Sequence, residues 1–304
     1  MKVSGRSSVF ILFSLALIVA FSSLIRALIA YALDTETAHA SQIVLIPFIS
    51  ATLMYLNRKQ IFQSVHYSFP SGVALMILGA GLLAAGMTVG VRLAVSDRLA
   101  VLTSSLVVLW LGGFLMFYGS TVFKSALFPL LFLAFVIPIP GELLDRMIDF
   151  LRRGSTDMAF LMLKLTGTPI HRDGFVFTMP NLLIEVAPEC SGIRSGISIV
   201  ISCLLAGNLF LRTSWRKGLL VAAAIPVVIF KNGLRITTLS YLAVHVDQRI
   251  LTSQLHREGG IPFFGLGLLL LYPFLMMLVR SERKPKSAGI PTTIPDLNFT
   301  RSKP

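Results

Sequence analysis

Residues 186–211 read VAPECSGIRSGISIVISCLLAGNLFL, in which a proline, an acid, a cysteine and small residues precede a long apolar run. A bilayer core requires about 18 to 23 apolar residues in one helix. Because such runs recur along the chain, the sequence predicts an all-α polytopic membrane protein with about eight transmembrane helices. The predicted spans are 9–33, 42–57, 71–91, 98–118, 122–139, 191–211, 218–243 and 262–280.

The composition supports this class: 55% of the 304 residues are hydrophobic, 13% are charged and the net charge is +13. The positive charge collects in short loops and at the end of the chain, at Lys2, Arg6, Arg58, Lys59, Arg212, Arg216, Lys217 and Arg280. Such a distribution is typical of positive-inside topology, and not of one basic face for nucleic acid. We therefore predict a multi-pass protein of the cell (inner) membrane with both termini cytoplasmic and no nucleic-acid partner.

The segment between the fifth and sixth spans differs from the rest. Residues 141–167 place apolar residues at helical spacing among charges, which predicts an amphipathic helix at the outer membrane surface. Residues 168–190 contain short β-prone runs broken by Gly, Pro and Asn, so we predict a strand or hairpin before the sixth span. The predicted membrane domain covers 1–283, and the polar tail 284–304 is predicted to be a disordered cytoplasmic segment.

The position of Cys190 permits two interpretations. Free backbone N–H groups and the helix dipole at the start of a membrane helix stabilise an anion and thus favour a reactive thiolate. The alternative is a small buried hydrophobe, the usual fate of a free cysteine. Cys203, within the apolar run, fits that alternative, and its distance along the helix from Cys190 opposes a disulfide between them.

The seventh span contains FKNGLRITTLS, in which Lys231, Asn232 and Arg235 interrupt an apolar run. Charged groups in hydrocarbon are costly unless they face a partner or a wet cavity, so a functional role is expected. A snorkelling arginine is the alternative for Arg235. In the next loop His256 precedes two glycines, and a histidine near a cysteine is a common way to activate a thiol.

These segments together resemble the exosortase/archaeosortase family of membrane cysteine protease-like and transpeptidase-like enzymes. The matching motifs are ECSGIRSG at 189–196, NGLRI at 232–236 and HREGG at 256–260. The early segment AHASQIVLIPFIS and the segment before Cys190 are also similar to the family pattern, so the resemblance covers nearly the whole chain. Its motifs occur in order and on one predicted side of the membrane.

The resemblance implies Cys190 as nucleophile, Arg235 as transition-state stabiliser and His256 as general acid/base. Asn232 opens the N-x-x-R motif and is a secondary candidate. Arg194 is another, since residues four apart share a helix face. His39 matches the early segment and is a third, as a residue that lines the site or supports its structure. No cofactor and no metal are expected, because His39, His66, His171, His245 and His256 show no paired ligand spacing.

The resemblance implies that the protein cleaves C-terminal sorting signals of exported proteins through a thioester, at the outer face of the membrane. In the family such signals consist of a short motif, a hydrophobic helix and a basic cluster. Water or an amine or hydroxyl acceptor could resolve the thioester, and the sequence leaves hydrolysis and transfer open. Two other classes are a transporter, which would favour inverted repeats that are not found here, and a non-catalytic membrane assembly factor.

Overall fold

The computed structural model describes residues 5–34, 38–180, 182–249 and 260–282. The described chain is mostly helical, as predicted. Short 3₁₀ helices occur at Ala38–Val44, Val89–Arg92, Leu133–Val136 and Pro188–Ser191. The α-helices are α1 Gly5–Ala20, α2 Ser22–Leu33, α3 Ile46–Leu56, α4 Arg58–Ile61, α5 Phe69–Thr88, α6 Val95–Ser125, α7 Leu127–Phe132, α8 Gly141–Leu165, α9 Ile193–Phe210, α10 Ser214–His245 and α11 Gly260–Glu282. The predicted tail at 284–304 lies outside the described residues.

Within the described ranges, five helical segments are long and apolar enough to cross a membrane, and seven if each of two bent helix pairs counts as one span. The bends are 69° between α1 and α2, and 91° between Leu127–Val136 and α8. The predicted count of eight is not reached. The predicted span at 42–57 forms only the 11-residue helix α3, and at about 1.5 Å per residue such a helix is shorter than a bilayer core.

Many large apolar side chains lie on the outside of the helices. They include Leu12 and Val19 on α1, Ile77 on α5 and Leu269 on α11, each more than half exposed. A soluble domain rarely presents continuous apolar surface of this kind. The outer surface thus has the composition that lipid requires.

Helices α5 and α6 form a closely packed pair, and an aromatic cluster joins α6 to α1. Gly72, Gly79 and Gly86 recur every seven residues on the buried side of α5, where the backbone of α6 approaches closely. Small residues permit this approach between membrane helices. On another side of α6, Phe114 and Tyr118 pack in edge or tilted contacts around Phe10.

Besides this aromatic cluster, a second buried core lies between α8, α9, α10 and α11. Its buried side chains include Leu151 of α8, Ile197 and Ile199 of α9, and Val228 of α10. Helix α8 has the predicted amphipathic pattern, with Leu144, Leu151, Ser155, Thr156, Ala159 and Leu163 buried along one face. Because α8 and α10 pack directly against each other, the polar residues of α10 are held at defined positions in this core.

The end of α11 is fastened to the loop between α9 and α10. The carboxylate of Glu282 accepts hydrogen bonds from the backbone N–H groups of Arg212 and Thr213, both at 2.9 Å. Its Oε1 also lies 3.3 Å from Nη1 of Arg216. These contacts satisfy backbone donors that precede α10 and join the three helices at one end of the core.

A small antiparallel sheet follows α8. Strands β1 His171–Asp173, β2 Val176–Met179 and β3 Leu182–Glu185 lie in the order β1-β2-β3. Phe177 of β2 pairs with Ile184 of β3, and the same face of the sheet packs on α8 and α10. The sheet therefore fixes the chain that leads from α8 to Cys190.

The α5–α6 contact predicts a difference between two glycines of the same helix. A Cβ at Gly79 would lie 2.9 Å from the backbone nitrogen of Leu109, whereas a Cβ at Gly81 meets nothing within 4 Å. We expect Gly79→Ala to lower the free energy of unfolding by about 1–3 kcal/mol, a usual cost of overpacking. Gly81→Ala should not lower it, because alanine is the better helix former. Thermal unfolding of both variants in detergent checks this, and equal melting temperatures would contradict the packing.

Candidate active site

Cys190 lies on the 3₁₀ turn Pro188–Ser191, directly before α9. Its backbone N–H donates to the carbonyl of Ala187 at 2.9 Å. Gly192 then adopts φ +82°, and α9 begins at Ile193, whose N–H lies 3.4 Å from Oγ of Ser191. The left-handed residue permits the sharp change of direction between turn and helix. The half-buried thiol therefore lies on the 3₁₀ turn that precedes α9, and not within the first turn of α9 itself.

Asn232 of α10 fixes this turn from the interior. Its side chain is fully buried, and Nδ2 donates a 2.8 Å hydrogen bond to the carbonyl of Cys190. A Cβ added to Gly192 would come within 2.8 Å of the Asn232 amide carbon and oxygen. Asn232 thus positions Cys190 through the backbone, and the turn and α10 approach each other so closely that only glycine fits at 192.

Arg235 lies three residues after Asn232 and reaches the same region, since residues three apart share a helix face. A cavity of about 50 Å³ brings Arg235 and Cys190 together, and its other lining residues are Ile184, Glu185, Val186, Ile236, Leu239 and Ser240. The structure therefore unites two of the three main candidates in one small cavity.

Arg152 of α8 is a residue that the sequence did not single out. Its Nε donates to the carbonyl of Val186 at 2.5 Å, and its Nη2 lies 3.1 Å from Oε1 of Glu185. The guanidinium also stacks 3.8 Å from the ring centre of Phe175. Arg152 therefore holds the chain between β3 and Cys190. In the sequence it was one charge among several on an amphipathic helix, and no local pattern distinguished it.

Lys231, one turn before Arg235, is buried at 1% exposure. Its Nζ donates to Oγ of Ser195 on α9, and Ser195 in turn donates to the carbonyl of Gly192 at 3.1 Å. The buried ammonium thus has a polar partner, as a charge in an apolar interior requires. This chain of contacts joins α10 to the first turn of α9, next to the Cys190 turn.

The remaining candidates lie in different places. Arg194 is exposed and does not line the cavity; because Gly192 interrupts the helix, Cys190 and Arg194 do not share a continuous helical face. His39 belongs to the 3₁₀ helix Ala38–Val44, and its side chain is outside the described part. His256 lies outside the described residues altogether. Cys203 is a buried free thiol in the core of α9, and Cys190 is also free.

A bundle of apolar helices with a cysteine and an arginine in one cavity defines a polytopic membrane protein with a candidate thiol site. The family model described as Transmembrane exosortase matches residues 33–273, which include all of these site elements. The chain belongs to the transmembrane exosortase family, and it is a multi-pass membrane protein of the protein-sorting class. No curated protein and no solved structure matches the chain.

The close contact at Gly192 predicts a larger penalty there than at a comparable glycine. Gly167 has φ +74° and nothing within 4 Å of an added Cβ, so Gly167→Ala introduces only the left-handed strain, about 1–2 kcal/mol. Gly192→Ala adds the same strain and also displaces Asn232 from the Cys190 carbonyl. We expect a lower melting temperature for Gly192→Ala than for Gly167→Ala, measured by thermal unfolding in detergent. Equal melting temperatures would show that the turn and α10 are not in contact.

Proposed function

We propose that the protein is a membrane-embedded cysteine endopeptidase and transpeptidase that cleaves C-terminal sorting signals of exported proteins. The observation that carries the proposal is the shared cavity of Cys190 and Arg235, within a chain of the transmembrane exosortase family. A nucleophile and a cationic hydrogen-bond donor side by side are the parts that acyl transfer needs.

The first half-reaction is attack of the Cys190 thiolate on the scissile carbonyl. The S–C bond forms, the carbonyl oxygen becomes an oxyanion, and collapse of the tetrahedral intermediate breaks the C–N bond and leaves a thioester. His256 supplies a proton to the departing amine in this scheme, a role that rests on the resemblance. In the second half-reaction water or an amine or hydroxyl acceptor gives a proton to His256 and attacks the thioester carbonyl, and the C–S bond breaks to release the thiolate.

Arg235 is assigned to the oxyanion. Its guanidinium carries five N–H donors in a fixed planar arrangement and lies in the same cavity as the sulfur. A preorganised donor of this kind stabilises the charge that develops in the transition state, and a site shielded from bulk water strengthens the effect.

The substrates we propose are exported proteins that end in a short motif, a hydrophobic helix and a basic cluster. The apolar helix of such a signal matches the apolar outer surface of this protein, so the signal can reach the cavity from within the bilayer. The basic cluster would then stay on the cytoplasmic side, as positive-inside topology requires. The proposed enzyme is therefore one of the inner membrane, with both termini cytoplasmic and its site at the outer face.

A paired cysteine test addresses the nucleophile. In membranes that contain an exported protein of this kind encoded by the same genome, Cys190→Ala should abolish cleavage of the signal. Cys203→Ala should retain it, because Cys203 lies in the α9 core and does not line the cavity. Mass spectrometry of the new C-terminus measures cleavage and distinguishes water from an acceptor. Equal cleavage by wild type and Cys190→Ala would refute a thiol mechanism and favour a non-catalytic role.

A second prediction concerns the oxyanion donor. Arg235→Lys keeps the positive charge but loses the planar set of donors, so we expect kcat to fall by about 10²–10³. The matched control is Arg194→Lys, a change at an exposed arginine outside the cavity, which should leave kcat unchanged. Initial rates of signal cleavage by purified variants provide the measurement. A wild-type kcat for Arg235→Lys would show that Arg235 does not stabilise the oxyanion.

A further inference from the structure

Strand β3 lies at the edge of its sheet, since β2 lies between β1 and β3. Met179 pairs with Leu182, Phe177 pairs with Ile184, and Val186 N–H donates to the carbonyl of Phe175 at 2.9 Å. In an antiparallel ladder alternate residues bond to the same neighbour. Leu182, Ile184 and Val186 therefore direct their backbone groups towards β2.

The intervening residues Leu183 and Glu185 direct their backbone N–H and C=O groups away from β2, to the open edge. Within residues 5–34, 38–180, 182–249 and 260–282, no hydrogen bond reaches these outward groups and no strand pairs with them. The side chain of Leu183 is 69% exposed. An edge of this kind is a template for another extended chain.

The position of this edge relates it to the cavity. Ile184, Glu185 and Val186 line the cavity on one side, and Arg235, Ile236, Leu239 and Ser240 of α10 line it on the other. Neither β1 nor β2 contributes a lining residue, so the cavity lies on the β3 side of the sheet. Cys190 follows β3 after a short connection held by Arg152. A chain lying along the β3 edge would thus pass beside the sulfur and the guanidinium.

We propose that the extended peptide segment preceding the apolar helix of a substrate binds as a fourth strand along the outer edge of β3. Backbone hydrogen bonds to Leu183 and Glu185 would set its register, and alternate side chains would be read for specificity. An extended chain also presents a scissile carbonyl free of helical hydrogen bonding, next to Cys190 and Arg235. This proposal rests on the proposed function and deepens it, because it states how the substrate is held.

The structure offers a substitution that removes one outward donor without touching the ladder. Leu183→Pro deletes the N–H at the open edge, whereas the bonds to β2 come from Leu182 and Ile184. Proline is tolerated at such edge positions. The residue before a proline prefers an extended backbone, and Leu182 already has one because it lies in β3. We expect kcat/KM for signal cleavage to fall about three- to tenfold, the effect of one lost backbone hydrogen bond.

The matched control is Leu183→Ala, which shortens the side chain and keeps the N–H; its kcat/KM should stay closer to wild type than that of Leu183→Pro. The probe is a reporter protein fused to the C-terminal signal of an exported protein from the same genome. Thermal unfolding of both variants verifies the fold. A properly folded Leu183→Pro with the kcat/KM of Leu183→Ala would overturn strand addition, while loss of activity in Cys190→Ala would still support the proposed function.

A substrate-side measurement keeps the proposal testable if Leu183→Pro does not fold. In synthetic peptides that span the cleavage site and the apolar helix, backbone N-methylation at one position at a time removes single N–H donors and leaves the side chains unchanged. Strand addition predicts that cleavage is lost at alternate positions and retained between them. Loss at consecutive positions, or at none, would overturn the proposal. Cleavage that persists in Cys190→Ala would instead refute the proposed function.

Discussion

The hydrogen bond from the Asn232 side chain to the Cys190 carbonyl is the contact on which the site depends. It joins a long membrane helix to the short 3₁₀ turn Pro188–Ser191 between β3 and α9. A buried carbonyl without a partner costs about 1–3 kcal/mol, so the turn is stable in this position only while α10 supplies the donor. The same contact brings Asn232 against Gly192, which makes the glycine necessary for both its φ of +82° and its lack of a side chain.

Helix α10 thereby organises the whole region. Lys231 reaches the first turn of α9, Asn232 holds the Cys190 turn, and Arg235 enters the cavity. These three residues lie within two turns of one helix, and their spacing places them along one side of it. Gly233 permits α8 to approach, because a Cβ there would meet Met158 at 2.7 Å. Arg152, carried by α8, then fastens the other end of the Cys190 segment, so both ends are held by rigid helices.

Hydropathy and periodicity predicted the helices that depend on local sequence. The apolar spans of α5, α6, α9, α10 and α11 and the amphipathic helix α8 could be recognised in this way. The bends between α1 and α2 and before α8 could not, because tertiary packing sets them and no single residue encodes the angle. The count of eight spans is not confirmed among the described residues, since an apolar stretch such as 42–57 has the composition of a span without its helical length.

The site residues divide in the same way, into those that the sequence indicated and those whose positions depend on tertiary structure. The shared location of Cys190 and Arg235 could be expected from their depth along neighbouring spans. The contact of Arg152 with Val186 joins residues 34 positions apart and depends on the sheet between them, so nothing local indicated it. The interruption of the helix at Gly192 was also missed, because a glycine after a cysteine and a serine is compatible with a helix start at either side. Arg194 was placed beside Cys190 on that assumption.

The open edge of β3 also constrains where the cavity can lie. Backbone groups without partners cost several kcal/mol each in hydrocarbon, so an unpaired strand edge does not occur in contact with lipid tails. Among the residues that the structure describes, Leu183 and Glu185 have such groups, and the side chains of Glu185 and Glu189 are exposed. The sheet and the Cys190 turn must therefore lie at a boundary where water or a peptide can satisfy these groups. The thioester that we propose would be accessible there to water or an acceptor. Lys231, one turn before Arg235 on α10, is buried in the core.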